Sequence, residues 1–269
     1  MNTTTATSER KRPSFFGGAG SRFLSFALCI LFVLSSASGH AQTDSTLADN
    51  ATRVKLQPPA HLVFVGDSLT ALFPASNYVA KVRATLQTRF GDKVRVTNGG
   101  VGGDYITRAQ ARLEKSVLKL EPKPTHVFIF LGHNDSKLKS SSGYREPVVK
   151  PEDFDRQYRE VVSTIQKTLG AKVIILSATS SVYEITKATA ERSAKAGKAH
   201  NLFGKPEALE QFNAIARKVA ADLGADYVDL YTPTRTHTDK PSLFTKDGVH
   251  INDNGNTLVA LEVLRYLAR

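Results

Sequence analysis

From about residue 60 onward the chain alternates between short apolar runs and longer segments whose apolar residues recur at helical spacing. The runs "HLVFV" from His61, "KVRVTN" from Lys93, "HVFIFL" from His126, "KVIILS" from Lys172 and "DYVDL" from Asp226 are rich in β-branched and aromatic residues and predict five strands. Between them, Phe154, Tyr158, Val161, Ile165 and Leu169, then Leu209, Phe212, Ala216, Val219 and Leu223, fall on one face of a helix each. Several strands are apolar on both faces, so helices must cover both sides of the sheet, and strand-helix alternation makes that sheet parallel with right-handed crossovers. The expected fold is one three-layer α/β/α domain over residues 60–269 with a five-stranded parallel sheet. The stretch from Thr179 to Pro206 is too long and polar for a simple connection, and "EITKATAERSAKAGKA" within it predicts a helical excursion near the functional end of the sheet.

The segment before the domain reads differently. Residues 42–59, "QTDSTLADNATRVKLQPP", are polar and end in two prolines, as expected of a linker or an arm over the surface. Ahead of it, Arg10, Lys11, Arg12 and Arg22 precede the apolar run "FLSFALCILFVL", which passes into small residues. This pattern predicts a signal peptide over 1–41, cleaved after Ala41 or after Gly39, and therefore a periplasmic or extracellular protein. The run is short of the roughly 20 apolar residues that span a bilayer, which disfavours a retained anchor and stable membrane insertion after cleavage.

Composition then narrows the chemistry. Cys29 is the only cysteine and lies in the apolar run, so a cleaved chain has no disulfide, no thiol nucleophile and no thiolate metal ligand. Loss of residues 1–41 removes a net +3 from the formal +11 and leaves +8. The lysines are scattered without a basic stripe or interleaved aromatics, which argues against a nucleic acid partner. No signal for a particular oligomeric state is legible.

Ligands of open α/β sheets bind beyond the carboxyl ends of the strands, and four such ends carry polar, chemically useful residues. The first strand runs into Gly66, Asp67 and Ser68, where the serine is either a helix cap or a nucleophile. "NGGVGGDY", Asn98 to Tyr105, follows the second strand, and its glycines let a backbone amide approach a ligand. "LGHND", Leu131 to Asp135, follows the third and brings the amide of Asn134 to the same region. The amides of Ser68 and Gly103 and the side chain of Asn134 can together receive the charge of a tetrahedral oxyanion. A serine needs a base, and "DGVHINDNG" supplies His250 with Asp247 three residues before it, a spacing that returns a carboxylate to one imidazole nitrogen.

These blocks, in this order, resemble the SGNH hydrolases, the GDSL esterase and lipase family: "GDSLT" around Ser68, "NGGVGGD" around Gly103, "GHND" around Asn134 and "DGVHIND" around His250. The resemblance implies a flavodoxin-like sheet, Ser68 as nucleophile, Gly103 and Asn134 as oxyanion donors, and His250 as base oriented by Asp247. The α/β-hydrolase elbow, Gly-x-Ser-x-Gly, would need glycine where Thr70 stands. Two positions depart from the family pattern: Tyr105 and Ile106 stand where threonines are common, and His133 stands where small or hydroxyl residues are common. Candidate substrate contacts are Asp67, Tyr105, His133 and Tyr183, although packing beside the site is the favoured reading of His133. The segments 136–150 and 179–206, with Tyr144, Tyr183 and Phe203, are expected to form the walls.

No cofactor is expected. His133, Asp135, Asp247 and His250 match no zinc spacing, and His250 cannot serve easily as both ligand and base. The expected partner is a small-molecule or glycan ester, first a short-chain or carbohydrate O-acetyl ester, hydrolysed through an acyl-serine. The alternatives are a lysophospholipase or thioesterase, a polysaccharide O-acyltransferase using the same residues, and a carbohydrate-binding protein without turnover.

Overall fold

All five apolar runs form strands: β1 (Ala60–Gly66), β2 (Val94–Gly100), β3 (His126–Phe130), β4 (Lys172–Leu176) and β5 (Asp226–Val228). They pair in parallel in the order β2-β1-β3-β4-β5, the flavodoxin-like order, with Phe64 of β1 level with Asn98 of β2 on one side and Phe128 of β3 on the other. The computed structural model describes residues 46–269, so the signal peptide read from 1–41 lies outside the described residues.

Alternation along the strands divides the core into two layers. Leu62, Phe64, Phe128, Phe130, Ile174 and Leu176 face one side and meet Tyr78, Val82 and Leu86 of α3 (Tyr78–Phe90) and Val259 and Val263 of α10 (Asp253–Leu267). Val63, Val65, Val127, Ile129, Val173 and Ile175 face the other and meet α4 (Ile106–Leu113), α6 (Pro151–Leu169) and α8 (Pro206–Leu223) through Ile106, Phe154, Tyr158 and Phe212. The two long helices begin with proline at the first helical position and end on Gly170 and Gly224 at φ 62° and 64°, so local chemistry marks both boundaries. The predicted excursion is α7 (Tyr183–Lys195).

The polar-linker reading of 42–59 requires correction where the chain is described. Residues 46–53 form a helix, α1, and Leu47, Ala51, Val54 and Leu56 are buried, three of them within the first core layer. Leu47, Ala51 and Val54 stand four and three residues apart, so a helical stripe lies within a segment whose average composition is polar. The Lys55 amide donates to the Leu267 carbonyl at 2.7 Å and ties this arm to the end of α10.

Candidate active site

The site assembles beyond the carboxyl ends of β1, β2 and β3. A Cβ on Gly66 would collide with the Thr70 side chain and crowd the Phe130 carbonyl, so glycine lets the one-turn helix α2 (Ser68–Ala71) sit directly on the end of β1. Asp67, not Ser68, caps this helix: its Oδ1 accepts from the Leu69 amide at 2.9 Å. The cap role being filled by its neighbour, the Ser68 hydroxyl is left to the solvent side, where His250 Nε2 lies 2.8 Å from Oγ.

His250 and Asp247 occupy the loop that leads into α10. His250 Nδ1 lies 2.5 Å from Asp247 Oδ2, while Oδ1 of the same carboxylate accepts from the amides of Val249 and His250 and from the Thr245 hydroxyl at 2.8–2.9 Å. Burial works to raise the Asp247 pKa, but the hydrogen bonds from His250, Val249 and Thr245 outweigh it and hold the carboxyl below its ordinary value. With the Nδ1 proton donated to Asp247, Nε2 presents its lone pair to the serine hydroxyl.

Gly103 adopts φ +74°, with open space where a Cβ would stand, so the backbone conformation rather than crowding calls for glycine there. Its loop is anchored by buried Asp104, paired with Arg112 at 2.6 Å. Among the described residues no backbone acceptor takes the N–H of Ser68 or of Gly103. Asn134 lies in α5 (His133–Ser136), where its Nδ2 donates to Asp67 Oδ2 at 3.3 Å and its Oδ1 accepts from Lys137 Nζ at 3.0 Å. Buried Asp135 accepts from the amides of Ile106 and Gly132 and so joins the start of α4 to the turn before α5. Burial, aided by the charge of Asp67, pushes the Asp135 pKa up to about 7 against the pull of those two amides.

Of the four candidate substrate contacts, Asp67 is corrected, and His133 takes the packing role favoured for it. Asp67 is fully buried, and both oxygens are taken up within the protein. His133 packs: its Nε2 accepts from the Thr179 amide at 2.9 Å, which puts the proton on Nδ1, 3.4 Å from Asp67 Oδ2, and its ring meets Phe130 edge-on. Tyr105 and Tyr183 are half-buried, the first packed on the second core layer and the second on a small cluster with Leu138, Ala190 and Leu202. That cluster joins the two expected wall segments, which are also bridged by Leu138 and Leu202.

Sequence reasoning gave no site role to Asp104 or Lys137 and considered Asp135 only as a metal ligand. All three stand within or next to the quoted blocks, and proximity to those blocks was the available signal. Among the described residues no group of three or more His, Cys, Asp and Glu side chains is arranged to hold a metal ion. Leu72, Phe73 and Val101 are large apolar residues left exposed, two just past α2 and one in the Gly103 loop. A shallow recess, too tight to admit a water-sized sphere, is bounded by Ser68, Leu69, Leu72, Phe73, His250, Ile251 and Asn256.

Comparison with known proteins bears on this arrangement. The profile of the GDSL-like Lipase/Acylhydrolase family matches residues 64–258. A GDSL esterase/lipase of Arabidopsis thaliana is 26% identical over 215 residues, 76% of this chain and 84% of the relative. An isoamyl acetate-hydrolyzing esterase 1 homolog of Mus musculus is 26% identical over 212 residues, covering 76% and 80%. Among solved structures, the acetyl xylan esterase AlAXEase shares the fold at a TM-score of 0.60 and 24% identity, over 77% of this chain and 98% of that one.

Proposed function

This chain belongs to the GDSL-like Lipase/Acylhydrolase family and is an ester-bond hydrolase, and from that premise we propose that it is an exported serine esterase that removes short acyl groups, O-acetyl groups of carbohydrates first among them. The observation that carries the mechanism is the line from Ser68 Oγ to His250 Nε2 to Asp247, at 2.8 and 2.5 Å. His250 takes the hydroxyl proton as Oγ attacks the ester carbonyl, and Asp247 stabilises the imidazolium that forms. The charge on the carbonyl oxygen falls to the amides of Ser68 and Gly103 and to Asn134. His250 then returns the proton to the departing alcohol, and the same histidine activates the water that releases the acyl group from Ser68.

The preference for a short acyl group rests on the recess beside Ser68. That recess is too tight to admit even a water-sized sphere, so it offers no slot for a fatty chain. The names of the mouse relative and of AlAXEase, both acetate-ester hydrolases by those names, support the same choice. Export rests on the basic and then apolar N-terminal sequence. Among the described residues no helix is long and apolar enough to cross a membrane.

Hydrolysis of 4-nitrophenyl acetate, butyrate, octanoate and palmitate tests the acyl preference, and release of acetate from acetylated xylan tests the alcohol side. The expected result is a rate that falls from acetate to octanoate together with acetate release from the polysaccharide. A rate that rises with chain length overturns the short-acyl reading in favour of a lipid substrate. For export, the measurement is the N-terminus of the protein recovered outside the cytoplasm, expected at Gln42 or His40; an intact leader there rejects cleavage.

A further inference from the structure

The Asn134 side chain lies between two charges of opposite sign. Its carbonyl oxygen accepts from the Lys137 ammonium at 3.0 Å, and its amide nitrogen donates to the Asp67 carboxylate at 3.3 Å. Rotating the amide by half a turn would set its N–H groups against the ammonium and its oxygen against the carboxylate, so the pair of charges selects one orientation. In that orientation one N–H is held by Asp67, and the other has no protein acceptor among the described residues. A cation on the carbonyl oxygen also draws electron density from the amide and makes its remaining N–H a stronger donor, an effect that grows in a partly buried setting.

Lys137 is itself held in place. Its side chain is half-buried, with Nζ 4.9 Å from the centre of the Phe203 ring. Its carbonyl accepts from the Val148 amide, and the next residue, Leu138, exchanges two backbone hydrogen bonds with Leu202 at 2.8 and 2.9 Å. Both wall segments therefore fix the backbone beneath this lysine. Burial lowers its pKa against the opposing charges of Asp135 and Asp67.

We propose that Lys137 is a positioning residue of the oxyanion site, acting through Asn134 by fixing and polarising its amide. The inference rests on the reading of Asn134 as an oxyanion donor. It assigns Lys137 no contact with substrate.

Steady-state kinetics on 4-nitrophenyl acetate test it, using the wild type, Lys137→Met, Lys137→Gln, Lys137→Arg, Asn134→Ala and the double variant Lys137→Met/Asn134→Ala, each checked for folding by circular dichroism. Lys137→Met is expected to lower kcat about tenfold at unchanged KM, since only the transition state carries the oxyanion. Lys137→Arg should recover most of the loss and Lys137→Gln less, and these two carry the test if the methionine variant does not fold. In the Asn134→Ala background Lys137→Met should add nothing, the signature of two residues acting as one unit. Full kcat in Asn134→Ala removes Asn134 from the oxyanion site and the inference with it. A slow Asn134→Ala beside a fully active Lys137→Met overturns the inference alone. So does a raised KM at unchanged kcat, which marks a substrate contact, or an equal loss in both backgrounds, which marks an effect that bypasses Asn134.

Discussion

Two rows of polar residues meet at the end of β1, and adjacent residues of one sequence belong to different rows. Ser68, His250 and Asp247 form the outer row, with the His250 and Asp247 side chains 30% and 49% exposed. Asp67, Asn134, Asp135 and His133 form the inner row, each at most 5% exposed. The carboxylates differ accordingly. Asp247 collects hydrogen bonds at the surface and stays ionised below its ordinary pKa, whereas buried Asp135 is pushed up to about 7. The difference teaches a division of labour: the outer row can exchange protons with a substrate and water, and the inner row fixes the backbone and the amide against which the outer row works.

Four measurements test that division, from the largest expected effect to the smallest. Ser68→Ala should reduce turnover by about 10⁴-fold or more while leaving the thermal midpoint unchanged, because the hydroxyl does chemistry and little packing. Undiminished hydrolysis by the folded variant would remove Ser68 from the mechanism. Asn134→Ala, at the junction of the rows, should cost about 10²–10³-fold in kcat if it donates to the oxyanion, and an unchanged rate would place it wholly in the inner, supporting row.

Asp135 should register in stability. Its folded pKa lies above the unfolded value, so its contribution is fully present below about pH 4 and is lost as pH rises toward about 7. At about 1.4 kcal/mol per pKa unit the loss is at most about 4 kcal/mol, read as a urea midpoint that falls between pH 4 and 7. The slope should flatten in Asp135→Asn; an identical slope there would assign it to other groups. The smallest effect is expected from Thr245→Val, which removes one of several donors to a half-exposed carboxylate. A loss of under about 1 kcal/mol in transition-state stabilisation, a few-fold in kcat/KM, is the expected reading, and a loss of a hundredfold would show that the outer row depends on this one bond.

Much of this was legible in the sequence for reasons that can be named. The strands were readable because β1, β3 and β4 are apolar on both faces, and α6 and α8 because proline and glycine bracket an unbroken apolar stripe. The outer row was readable because an acid three residues before a histidine is a local pattern. The inner row was readable only in part: Asn134 stood out as an amide at a strand end, but the contacts of Asp67 with Asn134 and of Asp135 with Ile106 span 67 and 29 residues and depend on how strand ends are brought together. Nothing in the sequence sets Lys137 apart, because its contacts with Asn134 and Phe203 exist only in the fold. In α1 the signal was present but diluted, because its apolar stripe is only a few residues long amid polar neighbours.

One feature of the outer row also has a meaning in time. Asp247 and His250 are three residues apart, whereas His250 and Ser68 are separated by 182. During synthesis Ser68, Gly103 and Asn134 emerge long before His250, and Asp247 and His250 then arrive almost together. A nascent chain therefore carries an idle serine until the segment that holds both Asp247 and His250 has been made.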